Sequence, residues 1–128
     1  MDVPLRLRVG GDAHERVDLL GFEVRTDFPV ADGRRWLTIG HPAQPAVELA
    51  VMLPAAPLPH ALAAGIQDAQ TVGAMFGVGL ASDDLDQDYQ DLAAKGVRFL
   101  MAPAARPFGA EAILTDPSGN RVFIVEYR

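Results

Sequence analysis

Along much of the chain apolar and polar residues alternate with a period of two, and helical spacings interrupt this pattern at intervals. The C-terminal half shows it most clearly. Residues 75–82 read as a short, glycine-rich strand, and Asp83 or Asp84 is a natural helix cap. Leu85, Tyr89 and Leu92 then recur at helical spacing, and Gly96 after Lys95 supplies a left-handed stop. Residues 97–102 and 110–115 read as strands. The run Asp116-Pro117-Ser118-Gly119-Asn120 predicts a turn, because proline fixes φ while glycine and asparagine tolerate positive φ. Residues 121–127 form the closing strand of this half.

The N-terminal half has the same order: strand 4–9, helix 12–20, and strands 22–28, 36–40 and 47–53. Gly21-Phe22-Glu23-Val24 is matched 75 positions later by Gly96-Val97-Arg98-Phe99. Gly33 to Leu37 lines up with Gly109 to Ile113 at an offset of 76, and Val47 to Val51 with Val122 to Glu126 at 75. Nearly constant offsets over three segments point to an internal duplication. The first helix is about one turn shorter than the second. The expected fold is α+β: one domain, residues 1–128, of two tandem βαβββ modules (about 3–53 and 75–128) forming a cupped mixed sheet. The linker, 54–74, carries Pro54, Pro57 and Pro59 and then a short helix around 61–69.

Composition narrows the function classes. A chain of 128 residues with 49% apolar residues can bury a real core. A net charge of −6 disfavours a general role on nucleic acid or anionic lipid. Without cysteine there is no disulfide, thiolate nucleophile or thiolate zinc site. No stretch has the roughly 18 apolar residues of a membrane span, and the N-terminus lacks a signal-peptide run, so the expected location is the cytoplasm. Dinucleotide, Walker and Gly-x-Ser-x-Gly motifs do not occur.

The residues Asp83-Asp84-Leu85-Asp86, Gly96-Val97-Arg98-Phe99, Pro107-Phe108-Gly109 and Asp116 to Asn120 resemble the vicinal-oxygen-chelate superfamily, and Leu20 to Asp27 is similar to its first-module signature. That superfamily includes glyoxalase I, extradiol dioxygenases, and the bleomycin- and fosfomycin-resistance proteins. The resemblance implies paired βαβββ modules around a cleft, commonly in a homodimer. It also implies metal ligands, usually His and Glu, on the first and last strand of each module. Those places fall here on Gly77 and Phe123 in the second module, and on Glu48 and a residue near Leu5 or Arg6 in the first. Only Glu48 is a ligand type. One carboxylate does not make a divalent site, which needs three or four protein donors, so no metal or other cofactor is expected.

Strand alternation assigns the faces. Gly77, Gly79 and Ala81 are expected in the cup with Phe123, Val125, Glu48 and Ala50, while Val78 and Leu80 pack toward the helices. In strand 4–9 the preferred register puts Leu5, Leu7 and Val9 in the core and Arg6 and Arg8 toward the cup, since burying two unpaired guanidinium groups is costly. A one-residue slip would reverse every side chain. Two placements of the arginines stay open: in a pocket with Glu48, or solvated along a strand near the sheet edge. Trp36 lines the cleft or packs at a dimer interface. Glu111 points inward as an acid or base, or is a surface group. His14, His41 and His60 read as packing or exposed residues rather than ligands.

The leading expectation is a metal-independent small-molecule-binding protein with Arg6, Arg8, Trp36, Glu48, Gly77, Gly79, Glu111 and Phe123 around its ligand. One alternative is a metal-dependent lyase, isomerase or dioxygenase with a rearranged site using Glu48 and His41 or Glu111. Another is a non-catalytic dimerisation module whose shortened first helix exposes apolar surface.

Overall fold

The computed structural model describes residues 21–30, 34–55 and 57–128, so the expected strand 4–9 and helix 12–20, with Arg6, Arg8 and His14, lie outside the described residues. Three antiparallel strands form one sheet: β1 (Glu23–Pro29), β2 (Arg35–Gly40) and β3 (Leu49–Val51), in that order. The linker contributes helix α1 (His60–Thr71), slightly longer than the pattern predicts. A complete βαβββ unit follows: β4 (Met75–Ala81), α2 (Leu85–Ala94), β5 (Arg98–Arg106), β6 (Gly109–Thr115) and β7 (Asn120–Tyr127). Its sheet runs β4-β7-β6-β5, with β4 parallel to β7 and the other pairs antiparallel. This is the α+β architecture of the sequence pattern. No described helix is long and apolar enough to cross a membrane.

The core follows from alternation. On β6 and β7, Ala112, Leu114, Val122 and Ile124 are fully buried and face Leu85 and Leu92 of α2. Val78 and Leu80 pack against the same cluster, while Gly77, Gly79 and Ala81 are exposed. Leu92 buries its whole side chain, so truncation to alanine would cost about 2–5 kcal/mol. The start of α2 is doubly capped. The Asp84 carboxylate accepts from the Gln87 N–H at 3.1 Å, and Glu126, reaching from β7, accepts from the Leu85 N–H at 2.8 Å. Both satisfy donors that a helix start leaves open. Ser82 donates to the buried Asp88 carboxylate.

The two modules differ in register. Thr26 pairs with Thr38 as Met101 pairs with Ile113, an offset of 75 on both strands rather than 76 on the second. Thr38 pairs with Ala50 and Ile113 with Phe123, an offset of 73 on the last strand. The β2–β3 loop is therefore two residues longer than its counterpart. Ala50, not Glu48, is the ladder equivalent of Phe123.

The Asp116–Asn120 turn fastens the linker to the second sheet. The Asp116 carboxylate, only 4% exposed, accepts from the backbone N–H groups of Ser118 (2.9 Å) and Asn120 (2.8 Å) and from Asn120 Nδ2 (2.9 Å). Burial pushes this carboxyl above the usual carboxylate range despite those donors. Gln70 of α1 donates to Asn120 Oδ1 at 3.2 Å, and Arg121 Nε donates to the Gly73 carbonyl at 2.9 Å. Gly119 adopts φ 90°, and any Cβ there would collide with the Gln70 carbonyl oxygen.

Gly119→Ala is expected to destabilise the protein by about 2 kcal/mol or more, from left-handed strain plus the lost helix contact. Gly65→Ala, inside α1 and with nothing within 4 Å of an added Cβ, is expected to stabilise by about 0.5–1 kcal/mol. Urea unfolding midpoints of the two variants should move in opposite directions. The Leu85 N–H and then Arg128 hold Glu126 below the usual carboxylate range. That contribution is fully present above the unfolded pKa of about 4.3 and is lost as pH falls through the lower folded value. Asp116, raised, acts in the opposite sense. Stability measured from pH 6 down to pH 3 should therefore fall less in Glu126→Gln than in the unsubstituted protein.

Candidate binding cleft

Loop 41–47 sets the position of Glu48, and Arg25 organises that loop. From β1 its guanidinium donates to the carbonyls of Pro45 (2.9 Å), Val47 (3.3 Å), His41 (2.9 Å) and Gln44 (3.4 Å). Nε also donates to Glu23 at 3.1 Å. A planar fork with five donors suits such a cluster of carbonyls, which a lysine could not span. Beyond the loop, Glu48 turns its carboxylate onto the buried Thr38, whose hydroxyl donates to Glu48 Oε1 at 2.8 Å.

Between β3 with the chain that follows it, and β4 with α1, lies a cleft of about 520 Å³. Glu48 and Gly77 both line it. Ala50, Met52, Leu58, Ile66, Met75 and Phe76 give it an apolar wall, and Gln70, Ser118 and Asn120 add amide and hydroxyl groups at one end. The volume lies within the range of small-molecule sites, and few polar groups on an apolar surface is their usual make-up.

The other expected residues are placed differently. The lining of this cleft does not include Phe123, but Phe123 stacks on Phe76 with ring centroids 6.4 Å apart and an interplanar angle of 25°. Gly79 lines a smaller cleft of about 330 Å³ with Phe22, His41 and Val47. His41 is held in its turn, Nδ1 accepting from the Ala43 N–H at 3.0 Å and the ring meeting Phe22 edge-on at 5.8 Å. Trp36 is 42% exposed and pairs across the ladder with Phe28, away from the central cleft. Glu111 forms an ion pair with Arg106 at 3.7 Å on β5.

Phe76 is the residue that strict alternation missed. Between Phe76 and Gly79 the β4–β7 ladder slips by one residue, so β4 carries an extra residue opposite Val122. The bulge puts Phe76 on the same face as Gly79, 74% exposed. A Cβ on Gly77 would run into the Arg121 carbonyl, so Gly77 marks a close backbone approach rather than an emptied side-chain position. Two glycines around Val78 inside a strand were the available signal. The polar end was missed too, because Gln70 comes from the linker.

A divalent metal needs several donors converging on one point. Among the described residues there is no group of three or more His, Asp or Glu side chains able to hold one. Glu48 instead accepts from Thr38, so the described residues do not fit the metal centre that the resemblance implies.

A three-stranded sheet, one complete βαβββ unit with its helix packed on the sheet, and an apolar cleft beside them define the class: an α+β scaffold built around a cleft. A family model, the Glyoxalase/Bleomycin resistance protein/Dioxygenase superfamily, matches residues 17–124, and the chain belongs to that superfamily. Among solved structures, UcmS2 is 33% identical, with 81% of this chain and 78% of that one covered and a TM-score of 0.72. TnmS3, an antibiotic binding protein from Streptomyces sp. CB03234, is 25% identical over 84% and 77% of the two chains, with a TM-score of 0.61. A superfamily member from Sphaerobacter thermophilus DSM 20745 is 28% identical over 83% and 78%, also with a TM-score of 0.61. The comparison with curated proteins gave no match.

Arg25→Met is expected to release loop 41–47 and destabilise the fold by about 2–3 kcal/mol, the usual size for hydrogen bonds to a charged group. Amide hydrogen exchange should accelerate at Gln44 and Val47, whose N–H groups close the loop's own turns.

Proposed function

We infer that this protein binds an apolar small molecule in the central cleft, holds it without a metal ion and works as a homodimer. The observation that carries this is the cleft itself: about 520 Å³ of largely apolar wall, with one carboxylate engaged by a threonine and a cluster of amides at one end. Apolar burial supplies the binding energy, about 25 cal/mol per Å² removed from water. Gln70, Ser118 and Asn120 orient the ligand, since a few fixed polar groups in an apolar site set specificity. Phe76, backed by Phe123, offers an aromatic face, favourable for a ligand with its own rings. The antibiotic-binding neighbour TnmS3 supports the same class of ligand here.

Protein purified without chelator is expected to contain no stoichiometric metal, and a thermal-shift screen of apolar, ring-bearing antibiotics is expected to give saturable stabilisation. Phe76→Ala, at an exposed position, should leave the unliganded melting temperature nearly unchanged and weaken the ligand's affinity about tenfold. A shift indifferent to Phe76→Ala overturns the cleft as the site. Near-stoichiometric nickel, iron, zinc or manganese that Glu48→Ala removes overturns metal-free binding. Sedimentation as a monomer at high concentration overturns the dimer.

A further inference from the structure

Arg98, Thr115, Arg121 and Phe76 stand directly opposite one another on the four neighbouring strands of the second sheet. Directly paired residues share a face, so two guanidinium groups flank the Thr115 hydroxyl from either side. Their backbones are roughly 10 Å apart, two strand spacings. Long arginine side chains at that separation can meet above the strand between them. Like charges in one cross-strand row repel each other, here in a protein whose net charge is −6.

The row opens onto a cleft of about 470 Å³, lined also by Gln70, Val72, Gly73 and Leu100. Neither arginine lines the central cleft. Among the described residues the Arg121 side chain is held by Nε donating to the Gly73 carbonyl, a bond that does not use its two terminal nitrogens, and the residue lines the cleft. Arg98 is exposed, and its side chain makes no hydrogen bond or ion pair among the described residues. The one carboxylate among the described lining residues, Asp116, is buried and turned onto Ser118 and Asn120. The carbonyl end of α2, which also borders the cleft at Gly96, is capped by the N–H groups of Lys95, Gly96 and Val97. Apolar surface stands next to the charges: Leu100, lifted outward in a bulge of β5, is 42% exposed, and Val72 is 74% exposed.

We propose that this cleft is a second binding site, for a small organic anion whose carboxylate or phosphate group bridges Arg98 and Arg121 over Thr115. Its apolar body lies against Leu100 and Val72. The anion relieves the repulsion between the two guanidinium groups and accepts charge-assisted hydrogen bonds from both. The Thr115 hydroxyl donates to the Asp116 carbonyl at 3.3 Å, so the contacts to the anion come from the two guanidinium groups.

The test is a titration of the full-length protein with sodium benzoate, and separately with inorganic phosphate, at low ionic strength, followed through backbone amide shifts. At least one anion is expected to give saturable shifts centred on Leu100, Thr115 and Arg121. Arg98→Gln should raise its Kd about tenfold, while Arg98→Lys recovers part of the loss. The unfolding midpoint of Arg98→Gln should not fall and should rise slightly, since the Arg98 side chain holds nothing in the described fold and its loss relieves the repulsion with Arg121. Benzoate binding without phosphate binding assigns the site to carboxylates, and the reverse assigns it to phosphates. Absence of saturable shifts with both anions, a Kd unchanged by Arg98→Gln, or shifts confined to Met52 and Phe76 in the central cleft would overturn the site.

Discussion

At the turn from Asp116 to Asn120 one buried carboxylate gathers three N–H donors, and the end of the linker helix lands on the result. Gly119 lies against the Gln70 carbonyl, Gln70 bonds Asn120, and Arg121 bonds Gly73. Burying a carboxylate is unfavourable unless its lone pairs are filled, and the turn fills them from its own backbone. The linker is thereby tied to the second sheet at a fixed angle. Both larger clefts depend on that placement, because Gln70 lines each of them. Loosening the turn would move one wall of both at once.

Much of this was legible in the sequence, for identifiable reasons. The turn announces itself through Asp, Pro, Gly and Asn in order, each with its own backbone preference. Leu85, Tyr89 and Leu92 keep helical spacing because one face of α2 is buried, and Gly96 at φ 87° ends it as its left-handed preference requires. The alternating face of β6 and β7 appears in the burial as written in the sequence: Ala112, Leu114, Val122 and Ile124 inside, Glu111, Ile113 and Phe123 less buried.

The site was less legible because it depends on register, which alternation alone does not determine. Two extra residues in the β2–β3 loop displace Glu48 along the ladder without changing its face, so comparing offsets between the halves misassigned its partner. The β4 bulge moved Phe76 onto the cleft side, a change of face that a strict period of two cannot contain. Arg25 was passed over because its role is to hold loop carbonyls, and carbonyls carry no sequence signature. Trp36 and Glu111 were chosen by residue type, yet the first stands beside Phe28 and the second is engaged by Arg106.

The bulge at Gly77 also constrains how this chain can change over evolutionary time. A histidine written into position 77 would not aim a ligand into the cleft, since its Cβ would strike the Arg121 carbonyl. A ligand-type residue placed at position 77 by point substitution therefore would not add a donor to the cleft. Removing one residue between Phe76 and Gly79 would close up the ladder, but the residue left between them would oppose the buried Val122 and face the core rather than the cleft. A deletion of that kind would leave Phe76 beside Phe123 and so would keep the aromatic face. Neither substitution nor deletion at the bulge therefore brings a new side chain from position 77 into the cleft, and the aromatic face beside it is what that stretch of β4 can present.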